Sequence, residues 1–239
     1  MRTVTLAFLL TASQAFGAFT YIASTSGGNN QTSPSIDTTG ANLLIIVVTV
    51  DGGGTGLSIF DAISGHSNVY ATAKSQAAAG SSSTYTFYCV NPAWVGPGHV
   101  FHVSVANGYE SIYAAAYSGA ASSPLDAVTN SAYNTANTTI QPGSITPSCS
   151  NELVIAGMFA ENGTPAVSGA TLRQARATVG GSWGGGLADS IQTAKTAINP
   201  TWTVSSGHNA ATIVAFKASD SVCTGAAAPI RRRVIVGGE

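Results

Sequence analysis

Short runs of β-branched and aromatic residues recur along the whole chain, and each run is closed by Gly, Asn, Ser or Pro. Runs of this kind are typical of strands. Residues 43–50 are apolar at both alternating sets of positions, which predicts a central strand buried on both faces. Residues 99–105 alternate in part, as a strand with one solvent-facing side does. Glycine-rich stretches at 51–56 and 180–186 predict turns.

The pattern therefore predicts an all-β protein. The predicted strands are 19–25, 43–50, 57–60, 69–73, 84–90, 99–106, 111–118, 152–160, 171–177, 186–195, 201–205 and 209–218. No segment shows a sustained helical period with caps, so we expect a single antiparallel β-sandwich, jelly-roll-like, over residues 19–218. Segments 108–118 and 206–216 both lead from a polar turn into a small-residue apolar strand. Core strands commonly share this pattern, so we do not infer a duplication from it.

The N-terminal extension, residues 1–18, allows two interpretations. Arg2, an apolar run over 4–10 and small residues before Ala18 are typical of a secretory signal peptide, with cleavage after Ala15 or Gly17. Alternatively, the segment is an ordered arm that packs on a neighbouring subunit, with assembly contacts at Val4, Leu6, Phe8 and Leu10. The apolar run is too short for a membrane span of about 20 residues, so we predict no transmembrane segment.

The chain carries nine basic and ten acidic residues, 8% of its length, where about 25% is usual. A nearly uncharged surface gives little repulsion between molecules, which favours a protein fixed in an assembly of its own copies, such as a capsid or surface lattice. The C-terminal tail, 219–239, holds the basic cluster Arg231, Arg232 and Arg233, too small for a nucleic-acid interface. We expect this cluster and the following Val234, Ile235 and Val236 to dock on a neighbour, the alternative being a solubilising tail.

Residues with catalytic or metal-binding chemistry are few and scattered. The acids are far apart in sequence and near turns, and Asp126 is expected to cap local backbone amides in a turn. His99 and His102 are expected to be polar surface or edge residues. Asp51 and Asp61 flank one loop and would be the pair to test for calcium. We therefore predict no catalytic residues, no metal site and no cofactor.

The three cysteines have no metal-ligand spacing. Cys89 lies in an apolar run and is expected to be a buried, unpaired residue. Cys149 and Cys223 lie in polar surroundings and would form a disulfide in an oxidising compartment; the odd cysteine count leaves this open. Trp183 stands among glycines that would leave its ring exposed, so it is the candidate for stacking on a glycan. The alternative for Trp183 is a core or interface anchor.

The chain resembles a known group of proteins in residues 115–126 (AAYSGAASSPLD), 140–147 (IQPGSITP) and 151–157 (NELVIAG). These segments resemble uncharacterised β-sandwich proteins of tailed-phage genomes and bacterial surfaces, over about residues 19–218. The resemblance supports the sandwich fold. The low charge, the many strands and the scattered chemical groups lead us to expect a non-enzymatic structural protein, such as a capsid-decorating or fibre protein on the virion surface. The alternative function is a secreted or cell-surface carbohydrate-binding module, with glycans as partners.

Overall fold

The apolar runs form antiparallel strands in the computed structural model, which describes residues 18–28, 32–52, 55–61, 68–78, 82–106, 108–177 and 183–223. The contacts predicted for the arm at positions 4, 6, 8 and 10 and for the tail at 231–236 lie outside these residues. Within them, the strands are β1 Thr20–Gly28, β2 Leu43–Asp51, β3 Thr55–Asp61, β4 Ala71–Ala77, β5 Ser83–Val90, β6 Phe101–Ala106, β7 Tyr109–Ser118, β8 Ala120–Asn134, β9 Thr139–Ile140, β10 Glu152–Ala160, β11 Ala166–Ser168, β12 Thr171–Arg176, β13 Gly184–Gln192, β14 Thr201–Thr203 and β15 Asn209–Ala218.

Two five-stranded sheets form the centre of the body. Their strand orders are β1-β7-β2-β5-β4 and β12-β13-β10-β15-β8, and every pairing is antiparallel. The sheets stack face to face, with β1 against β12, β7 against β13, and β5 against β10 and β15. Leu43, Ile45 and Tyr117 of one sheet pack there against Leu153 and Phe216 of the other. The predicted all-β sandwich is confirmed.

Two smaller layers cover the outer faces of these sheets. The β3–β6 pair covers the first sheet, where Phe101 and Val103 pack on Ile46. The β11-β14-β9 sheet covers the second, where Trp202 packs against Met158. The central strands β2, β7, β10 and β15 are therefore buried on both faces, which explains their nearly continuous apolar sequences. The prediction of a doubly buried strand at 43–50 is confirmed.

Each large sheet comes from one half of the chain, a feature that the jelly-roll-like prediction did not contain. Reading the second sheet as β8-β15-β10-β13-β12 gives the same connectivity as β1-β7-β2-β5-β4. An isolated bridge also recurs at equivalent places, joining Ile36 to His99 in the first half and Ile145 to Ile198 in the second. The fold is therefore an internal repeat of one strand topology.

The repeat corrects the interpretation of segments 108–118 and 206–216. These segments form β7 and most of β15, which occupy equivalent positions in the two sheets. The registers match as well, since Leu43 pairs with Tyr117 and Leu153 pairs with Phe216. Their similarity, which we had attributed to core strands in general, coincides with a true structural equivalence.

The pattern missed three strands. β8 runs for 15 residues but contains Pro124 within a polar stretch, and its pairing with β15 shifts register twice. A proline inside a run argues against a regular central strand, and β8 is the edge strand of its sheet. β9 and β11 span two and three residues, too few to show a period.

Polar side chains bridge the two large sheets at several points. Thr86 and Thr212 share a 2.9 Å hydrogen bond in the buried centre. The Tyr117 hydroxyl donates to Asp189 at 2.8 Å, and Arg173 Nε donates to the same carboxylate oxygen at 2.8 Å. Unpaired polar groups are costly in such an interior, so these bridges fix how the sheets stack.

Gly185 in β13 lies where the two large sheets approach each other closely. A Cβ atom at this position would lie 2.6 Å from Thr49 Cγ2 and 3.1 Å from the Tyr113 hydroxyl oxygen, both on the opposite sheet. Neither neighbour can retreat without disturbing fully buried packing. The sheet spacing therefore requires glycine here.

We predict that Gly185→Ala lowers the free energy of unfolding by about 1–3 kcal/mol, the usual cost of overpacking a core. Ser190→Ala in the same strand, at a half-buried position, is the matched control and should change stability by less. Urea denaturation followed by tryptophan fluorescence measures both. Equal stability of Gly185→Ala and the wild type would contradict the close approach.

Candidate functional site

Three charged side chains meet at one end of the second large sheet. Asp126 lies on β8, Lys217 on β15 and Glu152 on β10, and β15 runs between the other two strands. Glu152 and Lys217 are direct partners across the ladder. Their chain neighbours Leu153 and Phe216 face the central core. Strand alternation therefore turns the charged side chains to the outer face.

Backbone and side-chain donors of Ser148 and Cys149 cap the two carboxylates. Ser148 N donates to Asp126 Oδ2 at 2.8 Å, and the Ser148 hydroxyl donates to Oδ1 at 2.9 Å. Cys149 N donates to Glu152 Oε1 at 2.7 Å. The expectation that Asp126 caps a local turn is wrong, because it lies in a strand and its amide partner is 22 residues away.

A disulfide fastens the segment that covers the carboxylates. Cys149 pairs with Cys223 across a sequence separation of 74, which settles the pairing that the sequence left open. Cys89 is buried and free, as predicted. A cross-link closing a loop of this length limits the unfolded chain and is worth about 4 kcal/mol in the chain-entropy model. The disulfide therefore holds residues 148–149 over the carboxylates.

The two carboxylates are buried while the lysine reaches the surface. Glu152 is 0% exposed and Asp126 2%, and the Lys217 side chain is 29% exposed. Lys217 Nζ lies 3.5 Å from Asp126 Oδ1. Burial raises the pKa of Glu152 to about 7; the Cys149 amide opposes this shift and the Asp126 charge adds to it. Glu152 Oε2 has no hydrogen-bond partner among the described residues. Glu152 is therefore a proton-carrying group near neutral pH.

A second polar cluster lies beneath the other outer layer, around Asp61. His99 Nε2 lies 3.0 Å from Asp61 Oδ2, and His99 Nδ1 lies 2.9 Å from the Thr38 hydroxyl. Asp61 also accepts hydrogen bonds from Asn68 and from the Tyr70 hydroxyl. Burial by itself would raise the pKa of Asp61, but the bonds from His99, Asn68 and Tyr70 outweigh it and hold the pKa below its ordinary value.

This hydroxyl–imidazole–carboxylate series has the composition of a nucleophile relay, but its placement is structural. Thr38 and His99 are both 0% exposed. The Thr38 hydroxyl also accepts the Gly96 amide at 3.0 Å. The expectation that His99 is a surface or edge residue is wrong, because Trp94 and Phe101 rings enclose it. The cluster therefore joins the covering segments to one another.

Asp51 and Asp61 do not come together. Asp51 ends β2 and accepts a hydrogen bond from Ser82. Asp61 lies at the far end of the seven-residue β3, about 20 Å along that strand from its start. No group of three or more His, Cys, Asp or Glu side chains in the described part of the chain is placed to hold a metal ion. Calcium binding by Asp51 and Asp61 with backbone carbonyls stays a prediction.

Trp183 lies immediately before β13 and is half-buried. Its ring centroid is 5.9 Å from that of Phe159, and its carbonyl accepts a hydrogen bond from Ser111. Tyr109, two residues before Ser111, is 55% exposed. The Trp183 ring is thus partly covered, on the side of Phe159. The glycan-stacking role stays a prediction.

Comparisons of the chain with family models, curated proteins and solved structures gave no match. The residues that the structure describes include no helix long and apolar enough to cross a membrane. The site is therefore interpreted from its own geometry.

Glu152 should make stability depend on pH. Its folded pKa of about 7 lies above the ordinary value of 4.5. Its contribution to the free energy of unfolding is therefore fully present below the ordinary pKa and is lost as pH rises through about 7. We predict that the free energy of unfolding of the wild type, relative to that of Glu152→Gln, decreases as pH rises from 4.5 to 7. Urea titrations at several pH values measure this difference. A difference that stays constant across this range would contradict the buried, protonated state.

Proposed function

We propose that the protein is a non-enzymatic structural component exposed on the surface of a particle or cell. The Cys149–Cys223 disulfide carries this proposal. Structural disulfides persist in oxidising surroundings such as the cell exterior, periplasm and virion surface. The signal-peptide-like pattern of residues 1–18 agrees with export.

The burial of many acidic residues supports a structural role. Of the nine acidic residues that the structure describes, five are buried: Asp61, Glu110, Asp126, Glu152 and Asp189. Asp126 and Glu152 form a carboxylate pair, which hydrolytic chemistry on sugars also needs. However, residues 148–149 cover this pair, so no open cleft lies between the two groups. The acids therefore serve the interior of the fold.

Within this class we propose a phage virion component, either capsid-decorating or fibre-forming, that contacts copies of itself and a capsid or surface lattice. The low charge of the chain favours close packing of copies. The resemblance of segments 115–126, 140–147 and 151–157 to phage and bacterial-surface sandwiches supports the same choice. A secreted or cell-surface location is the alternative.

Surface labelling tests the proposal. An antibody raised against residues 18–223 should label intact particles or unlysed cells, and Cys149 and Cys223 should resist alkylation until a reductant is added. An antibody against a cytosolic protein of the same source is the control. Labelling only after lysis, together with two freely alkylated cysteines, would exclude an exposed location.

A second candidate is a carbohydrate-binding module, favoured by the aromatic residues at the rim. The Trp183 ring packs near the Phe159 ring. Tyr109 is exposed and lies two residues before Ser111, whose hydroxyl donates to the Trp183 carbonyl. Aromatic faces held in this way stack on apolar sugar faces. A structural protein with such a rim would attach its particle to a glycan-coated surface.

We predict that Trp183→Ala abolishes the binding of any glycan that this rim binds. Trp94→Ala removes a half-buried tryptophan that packs against His99. It is the matched control, and the folded variant should retain binding. Glycan arrays followed by calorimetry measure the effect, and a loss of at least tenfold in affinity is expected. Binding that survives Trp183→Ala would eliminate this candidate.

A further inference from the structure

We infer that Lys217 and Asp126 become joined by an intramolecular amide bond, formed in the folded protein with Glu152 moving the protons. The inference rests on the placement of these three side chains and does not depend on the proposed function. The cross-link would connect β15, the last strand described, to β8, the first strand of the second sheet.

The reacting groups are already in contact. Lys217 Nζ lies 3.5 Å from Asp126 Oδ1, an atom bonded to the carbon that the amine would attack, and such proximity lowers the entropic cost of the reaction. Ser148 donates to both oxygens of Asp126, which orients the carboxyl group and polarises its carbon. Groups held in this way react as if at a concentration on the order of 10⁵ M or more.

Amide formation needs a neutral amine beside a carboxylic acid, in a site with little water. Asp126 is 2% exposed, Glu152 is 0% exposed, and residues 148–149 cover both. Before the attack, the Lys217 ammonium has to pass a proton to the Asp126 carboxylate. This transfer produces a neutral amine and a carboxylic acid side by side.

The step balances without a co-reactant. The Lys217 nitrogen attacks Asp126 Cγ, an N–C bond forms, and one C–O bond of the carboxyl group breaks. The nitrogen releases two of the three protons of the starting ammonium, and the departing oxygen leaves with both of them as water. No atom is oxidised or reduced.

Glu152 is placed to carry these protons. It lies directly opposite Lys217 in the ladder and shares the Ser148 hydroxyl with Asp126, at 3.5 Å from Oε1. Its Oε2 atom is buried without a hydrogen-bond partner among the described residues. A protonated Glu152 can give a proton to the carboxyl oxygen of Asp126 and take one from the attacking nitrogen.

Peptide mapping of the purified full-length protein tests the inference. Since the disulfide joins the same two parts of the chain, the sample is reduced and alkylated before digestion. We expect one cross-linked species that contains Lys217 and Asp126 and is lighter by one water than its two peptides together. Trypsin should also fail to cut after Lys217, because its amine is acylated.

Two variants assign the roles. Lys217→Arg keeps the positive charge and should give uncross-linked peptides. Glu152→Gln keeps the size of the side chain but carries no exchangeable acid, and it should slow cross-linking at least a hundredfold while retaining the wild-type circular dichroism spectrum. Glu161→Gln, outside the cluster, should cross-link as the wild type does.

Complete tryptic cleavage after Lys217 in folded wild-type protein would overturn the inference. Loss of water that persists in Lys217→Arg would also overturn it, because the bond would then lie elsewhere. Wild-type cross-linking rates in Glu152→Gln would refute the role of Glu152. If Glu152→Gln does not fold, the wild-type map and Lys217→Arg still decide whether the bond exists.

Discussion

Burial of the central strands on both faces is the constraint on which the rest of the structure depends. β2, β7, β10 and β15 each lie between the opposite large sheet and an outer layer. A polar side chain on such a strand has no water to bond with, so it must find a partner inside. The Thr86–Thr212 bridge and the Asp189 contacts meet this requirement between the sheets. Glu152 on β10 meets it in part, since its Oε1 accepts the Cys149 amide while its Oε2 has no partner among the described residues.

The same constraint explains why the few charged residues do not gather in an open site. A buried acid needs donors from several directions, and the covering segments supply them through backbone amides and hydroxyls, as Ser148 does for Asp126. Those segments then need fastening, which the Cys149–Cys223 disulfide provides on one side and the His99–Asp61 contact provides on the other. In the second half of the chain, the buried carboxylates, the segment that covers them and the disulfide that holds this segment therefore depend on one another.

Local patterning predicted the strands with long apolar runs, because period and composition are properties of neighbouring residues. It could not predict β8, whose Pro124 and polar residues are accommodated only because β8 is an edge strand. The candidate site was missed because Asp126, Glu152 and Lys217 are far apart in sequence and come together through strand order. One signal was present: Glu152 and Lys217 are single charges in otherwise apolar strands, which indicates a buried partner. Asp126 was misread as a turn residue because its real partner, Ser148, lies on another segment.

The internal repeat shows that the charged cluster is not a requirement of the fold. Leu43 pairs with Tyr117 as Leu153 pairs with Phe216, so Asn42 and Ser118 occupy the positions equivalent to Glu152 and Lys217. In the first half, the Asn42 side-chain amide donates one hydrogen bond to the Ala120 carbonyl and accepts one from the Ala120 amide. The polar groups at this strand end are thus paired without a charge. The same strand topology thus carries a neutral amide at this end of the first sheet and two acids and a lysine at the equivalent end of the second. The charged arrangement is therefore a property of the second half of the chain and not of the strand topology.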